Sequence, residues 1–269
     1  MSQVIEEGEE SGEEVEYEPE EFTIASRTFS ITTVAYLPIQ ALMKNREKNV
    51  EISGQALWCG SLCTIHYLLN HASIARDAIV VEMGAGTGIL GMCCRSLAGA
   101  RRVFLTDHDA VSIAHMEADK QRNAMEDLHV LRLDWLAPTA SVEYLQALVQ
   151  AVDGQPRRIV VVAGDVVYKQ MLLDPFFTTM EILLGLSHPT AVEPSVAYLC
   201  HVPRAGVTHD LVVGAAKGKN LFVEEVDIMD VCSDSDRLGC EASSESCCLR
   251  YCPREELDRA KLYKITRLD

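Results

Sequence analysis

The feature of this sequence that most restricts its fold is a short apolar run that leads directly into three closely spaced glycines. The run 78–83 has the length and the β-branched content of a buried strand, and Gly84, Gly86 and Gly88 follow it. Glycine lets the backbone turn sharply and approach a ligand, because it carries no Cβ atom. A helix is predicted to begin at Ile89, and its first N–H groups would face an anionic ligand. The pattern therefore predicts a strand, a ligand-binding loop and a helix in succession.

The spacing of these glycines separates two kinds of nucleotide ligand. A dinucleotide-binding fingerprint, GxGxxG, would require a third glycine at the position that Ile89 occupies. The chain instead has an acidic residue followed by GxGxG, the pattern associated with S-adenosylmethionine. We therefore predict a loop that binds this cofactor and consists of Glu82, Gly84, Ala85, Gly86 and Gly88.

Short β-branched runs recur along the rest of the chain and alternate mostly with helical segments. The predicted strands are 78–83, 103–106, 129–133, 159–163, 196–201, 221–226 and 261–268, and the predicted helices include 55–71, 110–125, 141–152 and 170–186. Such alternation requires right-handed crossovers and produces a parallel sheet that helices cover on both faces. We therefore predict an α/β, Rossmann-like fold with one seven-stranded, mostly parallel sheet.

Acidic side chains end two of the predicted strands. Asp107 ends the second strand, about 20 residues beyond the glycines, where it can accept hydrogen bonds from ribose hydroxyls or serve only as a turn residue. Asp109 is better suited to cap the following helix. Asp134 ends the third strand and can accept a hydrogen bond from the adenine amine, while Trp135 can cover the base or simply pack. Because the carboxyl ends of parallel strands meet at one edge, these groups are expected to share one site.

The fourth strand ends in Asp165-Val166-Val167-Tyr168. With this motif, the glycine loop and the segment 54–58, the sequence resembles the family 16 seven-strand methyltransferases over roughly residues 50–186. The resemblance implies a class I methyltransferase fold whose last strand is antiparallel, with S-adenosylmethionine as the cofactor. It also implies that the methyl acceptor is a lysine amine on another protein. By the same resemblance, Trp58 lies near the cofactor, and Asp165 and Tyr168 face the acceptor.

The residue types of this motif suit amine methylation. A lysine amine has an ordinary pKa of about 10.4 and must lose a proton before it attacks. Asp165 would hold and orient the amine, and Tyr168 would form a wall of the channel. The alternative is that Asp165 caps a helix that begins near Val166 and that Tyr168 packs against that helix. Adenine N6-methyltransferases have prolines where this chain has Val166 and Val167, which disfavours a nucleic-acid acceptor.

The acidic charge of the chain is concentrated at its N-terminus. The formal net charge is −16, and residues 1–21 contain many glutamates but no lysine or arginine. We predict a disordered acidic tail at 1–21 and a methyltransferase domain at 22–269, with an N-terminal cap at 22–54 and an insertion loop at 230–259. The tail either solubilises the protein or attracts a basic segment of the protein substrate. The charge disfavours direct binding of nucleic acid.

The ten cysteines form no CxxC pair. Five lie in apolar surroundings, and five lie in one polar stretch whose spacing matches no common zinc site, so we predict free thiols and no metal. No apolar run approaches the ~20 residues of a membrane span, and no signal peptide is evident. We therefore expect a cytoplasmic protein, with a nuclear location also compatible.

Two alternatives to lysine methylation stay open at this point. One is a methyltransferase that acts on a small molecule or on another protein residue, because one fold serves many acceptors. The other is a catalytically silent module that binds the cofactor and a partner.

Overall fold

The computed structural model describes seven parts of the chain, which are residues 15–36, 53–138, 142–143, 145–147, 158–186, 193–230 and 247–268. An antiparallel hairpin comes first, formed by β1 (Glu16–Ile24) and β2 (Arg27–Tyr36). The remaining strands are β3 (Ile79–Met83), β4 (Arg102–Asp107), β5 (Leu128–Arg132), β6 (Ile159–Gly164), β7 (Val196–His201), β8 (Leu221–Val226) and β9 (Lys261–Arg267). The helices are α1 (Cys59–Asn70), α2 (Ile89–Ser96), α3 (Ala110–Arg122), α4 (Leu173–Leu184), α5 (His209–Lys217) and the single turn α6 (Arg254–Leu257).

Strands β3 to β9 form one seven-stranded sheet in the order β5-β4-β3-β6-β7-β9-β8. Strands β3 to β7 are parallel, and β9 runs antiparallel to both of its neighbours, β7 and β8. This arrangement confirms the predicted fold class. The chain leaves β3 toward one edge of the sheet and returns to β6 on the other side of β3. Ligands of open α/β sheets bind where the strand order reverses in this way, beyond the carboxyl ends of the strands.

The central strands are buried on both faces, which explains their continuous apolar sequence. Every residue of β3 and β6 is buried. Val80 packs in one core with α1 residues such as Leu62, whereas Val81 packs in the opposite core with Phe177 of α4. Successive β3 side chains therefore anchor the two helical layers and hold the end of β3 rigidly in place.

Three of the four predicted helices agree with observed ones except at their ends. The helix predicted at 55–71 is α1, preceded by a 3-10 turn at Ser53–Gln55, and the helix predicted at 170–186 contains a 3-10 turn and then α4. The helix predicted at 141–152 lies largely outside the described residues. Within the described part of the chain, no helix has the length and apolar content needed to cross a bilayer.

The hairpin corrects the predicted extent of the acidic tail. Residues 16–21 belong to β1, although the prediction placed them in a disordered segment. Their side chains are exposed, so composition indicated nothing to bury, but their backbone pairs with β2. Buried Phe22 and Phe29 anchor the hairpin, and Asp119 of α3 accepts hydrogen bonds from the backbone and hydroxyl of Thr32. Residues 1–14 and 37–52, the remainder of the predicted tail and much of the predicted cap, lie outside the described residues.

The end of the predicted insertion loop also belongs to the packed structure. Cys247 and Cys248 are buried, and the 3-10 turn Cys248–Tyr251 packs on α1. The polar composition of 230–259 concealed this contact, since only a few of its residues are apolar. The segment 231–246 lies outside the described residues.

Candidate active site

A cavity of about 240 Å³ opens at the carboxyl ends of β3, β4 and β6, at the point where the strand order reverses. Most of the residues predicted from the sequence line it together. These are Trp58, Gly84, Ala85, Gly86, Asp107, Asp134, Trp135, Asp165 and Tyr168. The sheet thus joins side chains from five separate segments into one site.

The glycine loop is shaped by backbone angles that only glycine adopts without strain. Gly84, Gly86 and Gly88 have φ values of 66°, 54° and 74°. A Cβ atom on Gly86 would lie 2.6 Å from the carbonyl oxygen of Gly54, and one on Gly84 would lie 3.2 Å from the Trp135 ring. The glycines therefore permit two close approaches as well as the turn itself.

Two predicted cofactor contacts, Glu82 and Gly88, do not line the cavity, which corrects their predicted role. The Glu82 side chain is buried behind the loop, where its carboxyl accepts a hydrogen bond of 2.8 Å from the N–H of Gly91. Burial raises the pKa of Glu82 to about 8. Gly88 is the residue before α2, and a Cβ there would contact Leu105 and Met116. Both residues support the loop from the protein interior, because β3 is enclosed on both faces.

Asp107 ties the glycine loop to the neighbouring strand. Its carboxylate accepts hydrogen bonds from the N–H of Gly86 at 2.9 Å and of Asp109 at 3.0 Å. Burial alone would raise the pKa of Asp107, but the hydrogen bonds from His108, Asp109 and Gly86 outweigh it and lower the pKa. The group is therefore ionised at neutral pH and can accept further hydrogen bonds. Asp109 caps α3 through the N–H of Ser112, as expected.

Asp134 and Trp135 form the part of the cavity wall that follows β5. The Asp134 carboxylate accepts a hydrogen bond of 2.9 Å from the N–H of Leu136, which closes a local turn. The Trp135 ring meets Phe176 edge-on, with the ring centroids 5.0 Å apart. Among the described residues, the buried Trp135 Nε1 finds no hydrogen-bond partner. Trp135 therefore both packs on α4 and lines the cavity.

Asp165 lines the cavity with a buried side chain and a strained backbone conformation. Its φ is 60°, in the left-handed region that non-glycine residues seldom adopt. Its carboxylate accepts a hydrogen bond of 3.2 Å from the N–H of Val202 and forms an ion pair with Arg204. The following helical turn starts only at Gln170, so Asp165 does not cap a helix beginning near Val166. Backbone strain of this kind is often found at functional sites.

The electrostatics of Asp165 reflect two opposing effects. Burial raises the pKa of its carboxyl, the positive charge of Arg204 lowers it, and the net pKa is about 7. An ordinary aspartate has a pKa of about 3.9 and is fully ionised at neutral pH. The Asp165 carboxyl is only partly ionised there.

Arg204 is a site residue that the sequence did not reveal. Its guanidinium lies over the Trp58 ring, 4.4 Å from the ring centroid, and also contacts Glu256 at 3.4 Å. Arg204 follows β7 at the same edge of the sheet as the other site residues. Its only sequence signal was this position after a predicted strand, because it belongs to no motif.

Tyr168 is partly buried and lines the cavity near Leu172. The Lys169 ammonium lies 5.2 Å from the centroid of the Tyr168 ring, on the outer side of the site. Asp165, Val166 and Tyr168 of the predicted motif thus line the same cavity, while Val167 is buried in the core.

The sequence and the fold can both be compared with known proteins. A family model described as lysine methyltransferase matches residues 40–196, which is more than half of the chain. No curated protein matches the sequence. Among solved structures, SMU.776, assigned as a methyltransferase and complexed with SAH, aligns with a TM-score of 0.50 and 12% identity over 93% of this chain and 57% of that one.

Two further solved structures give similar alignments. A protein from Streptococcus mutans, assigned as SAM-dependent methyltransferase, has a TM-score of 0.48 and 12% identity over 92% of this chain, which spans 56% of that protein. The ribosomal protein L11 methylase of Lactobacillus delbrueckii subsp. bulgaricus has a TM-score of 0.45 and 16% identity, over 88% of this chain and 95% of that one. Likeness at these identities concerns the fold alone. By the family model, the chain belongs to the lysine methyltransferase family, and its fold is that of S-adenosylmethionine-dependent methyltransferases.

Proposed function

We propose that the protein transfers a methyl group from S-adenosylmethionine to a lysine side-chain amine of another protein. The observation that carries the proposal is that the glycine loop and a buried carboxyl, Asp165, line the same cavity. Membership in the lysine methyltransferase family supports the choice of acceptor.

The loop end of the cavity fits the cofactor. Gly84 has no side chain, and a Cβ atom there would lie 3.0 Å from Val166 and 3.2 Å from the Trp135 ring, so a larger residue would displace this part of the cavity wall. The residues that would hold the cofactor are Gly84, Ala85 and Gly86 for the amino-acid end, Asp107 for the ribose, Asp134 and Trp135 for the adenine, and Trp58 beside them. When bound, S-adenosylmethionine supplies a methyl group on a positively charged sulfur.

The Asp165 end of the cavity suits a lysine amine. In-line methyl transfer needs a neutral amine held at a fixed angle, so the protein chiefly has to position it and accept its proton. Asp165 can do both, because its pKa of about 7 makes it a better proton acceptor than an ordinary aspartate. The nearby Arg204 charge disfavours an ammonium at this place and so favours the neutral amine.

The partner is proposed to be a protein with a basic segment around the target lysine. The chain carries a net charge of −16, which attracts such a segment and repels nucleic-acid phosphates. A cytoplasmic or nuclear location for this reaction is part of the same proposal.

The test is to incubate a lysate with the purified full-length protein and isotope-labelled S-adenosylmethionine. We expect mass spectrometry to find labelled methyl on lysine in a small number of proteins, and Asp165→Asn to abolish this labelling. Asp210→Asn is the matched control, because Asp210 lies exposed on α5 away from the cavity.

Other outcomes would replace this proposal by its alternatives. Label in the low-mass fraction, in RNA or on another residue type would identify a different acceptor. Tight cofactor binding without transfer into any fraction would instead indicate a silent binding module.

A further inference from the structure

Helix α1 and the C-terminal segment bring three cysteine thiols together behind the active-site wall. Cys59 and Cys63 lie one helical turn apart on α1, and Cys252 follows the 3-10 turn that packs on this helix. Their three sulfur atoms all lie within 4.8 Å of one another. The Cys59 and Cys63 sulfurs are 3.8 Å apart, and those of Cys59 and Cys252 are 2.7 Å apart.

The cluster has the electrostatic character of a thiolate site. Hydrogen bonds from the thiols of Cys252 and Cys63, with a smaller contribution from the Arg204 charge, lower the pKa of Cys59 to about 4 despite its burial. Cys200 of β7 also hydrogen-bonds to Cys63.

We propose that Cys59, Cys63 and Cys252 bind one thiophilic metal ion of the zinc class. Thiolate ligands select such d¹⁰ ions over hard cations. With metal–sulfur bonds of about 2.3 Å, two ligands of a tetrahedral zinc site lie ~3.8 Å apart, which matches the spacing of Cys59 and Cys63. The distance between the sulfurs of Cys59 and Cys252 would have to increase by about 1 Å to reach the same value. Thiolates are the ligand form, so binding releases the protons that the three thiols carry.

A second group of side chains that could coordinate a metal lies nearby, but it is better explained as structural packing. His66, Cys247 and Cys248 are also mutually close and buried. Here, however, the polar atoms already have partners: His66 contacts Asn70 at 3.3 Å, and the Cys248 thiol donates to the carbonyl of Leu62 at 3.3 Å. In the first cluster, the Cys252 thiol also reaches the carbonyl of Cys59 at 3.6 Å, but the shorter contact of this thiol and the contact between Cys59 and Cys63 join sulfur to sulfur.

The position of the proposed ion connects it with the wall of the active site. Cys59 directly follows Trp58, which lines the cavity. Cys252 begins the segment that carries Glu256, which contacts Arg204, the partner of Asp165. The ion would therefore fasten the C-terminal segment to the start of α1, and its role is structural.

The test uses the full-length protein in a reductant that contains no thiol. We expect Cd²⁺ to bind with one-to-one stoichiometry, to produce the ultraviolet absorption of thiolate–metal charge transfer, and to release protons. Zn²⁺ is expected to compete with it and to raise the Tm. Cys252→Ala removes one ligand at a half-exposed position and should weaken Cd²⁺ binding on the order of 100-fold or more.

Cys248→Ala is the matched control, because it removes a sulfur of the second group only. We expect this variant to bind Cd²⁺ as the unmodified protein does. An equal loss in both variants would place the ion elsewhere, and unchanged binding in Cys252→Ala would overturn the proposal. Formation of a Cys59–Cys252 disulfide with peroxide, in a protein that binds no Cd²⁺ when reduced, would overturn it in favour of a redox pair.

Alkylation of the unmodified protein gives a readout that does not depend on how a variant folds. Cd²⁺ should slow the alkylation of Cys59, Cys63 and Cys252, and a chelator should restore it. Protection of Cys247 and Cys248 alone would contradict the proposal.

Discussion

The two ends of the cavity are built in different ways. The loop end comes from one continuous stretch, 82–91, in which a buried strand, the glycines and the helix start follow one another. The acceptor end instead combines Asp165 and Arg204, which lie on two separate segments. The first end depends on local backbone geometry, whereas the second depends on tertiary packing. Changes at the loop end should therefore affect cofactor binding, and changes at the acceptor end should affect turnover.

The largest effect is expected at Gly86. In Gly86→Ala, the new Cβ would lie 2.6 Å from the Gly54 carbonyl oxygen, at a φ of 54°. We expect the affinity for S-adenosylmethionine to fall by about 100-fold or more, since strain of ~1–3 kcal/mol adds to the displacement of the loop. Isothermal titration calorimetry measures this loss. Gly214→Ala is the control, since no atom lies within 4 Å of its Cβ position, and normal affinity in Gly86→Ala would contradict the description of the loop.

Asp165→Asn should separate the two ends most clearly. Asparagine tolerates the left-handed backbone of this residue but cannot accept the proton of an ammonium. We expect kcat to fall about 100-fold, within the usual range for loss of a general base, while the Kd for S-adenosylmethionine stays nearly unchanged. Steady-state kinetics and calorimetry on the same preparation provide both values. An equal loss of both would assign Asp165 to cofactor binding.

Arg204→Gln tests whether the Arg204 charge controls the pKa of Asp165. Arg204 lowers the pKa of Asp165, which burial raises, so removing its charge should move that pKa above its present value of about 7. Asp165 works as the carboxylate, so turnover rises with pH through this pKa. The acidic limb of the kcat profile should therefore shift upward by about one pH unit in the variant. A shift to lower pH, or no shift, would show that Arg204 does not control this carboxyl.

Trp135→Phe is expected to have the smallest effect of the four. Phenylalanine keeps an aromatic surface against Phe176 but loses the buried indole N–H, which has no partner among the described residues. If this N–H serves the cofactor, affinity should fall about fivefold, the cost of one hydrogen bond of ~1 kcal/mol. A lower Tm with unchanged affinity would leave Trp135 as a packing residue only.

Several elements of the fold could be predicted from the sequence because their signals are local. The strands at 196–201 and 221–226 were predicted with their observed bounds, since each is a short β-branched run. The glycine loop was recognisable because its conformation excludes other residue types. Asp165 and Tyr168 were found by resemblance, and the structure places both on the cavity wall.

Other features were predicted incorrectly or missed because they depend on distant contacts. Glu82 was expected in the cofactor site, but the enclosure of β3 turns its side chain to the N–H of Gly91. Residues 16–21 were expected to be disordered, yet pairing with β2 makes them a strand. Arg204 belongs to no motif and acquires its role only because β7 ends beside Asp165.

The sequence by itself determined the sheet, the helical layers and the glycine loop, because apolar periodicity and glycine geometry act within a few residues. Tertiary structure alone decided which charges and thiols meet. The pairing of Asp165 with Arg204 and the approach of Cys252 to Cys59 join residues that are far apart in the chain. Such contacts depend on how helices and strands pack, and burial then sets the pKa values that the contacts require.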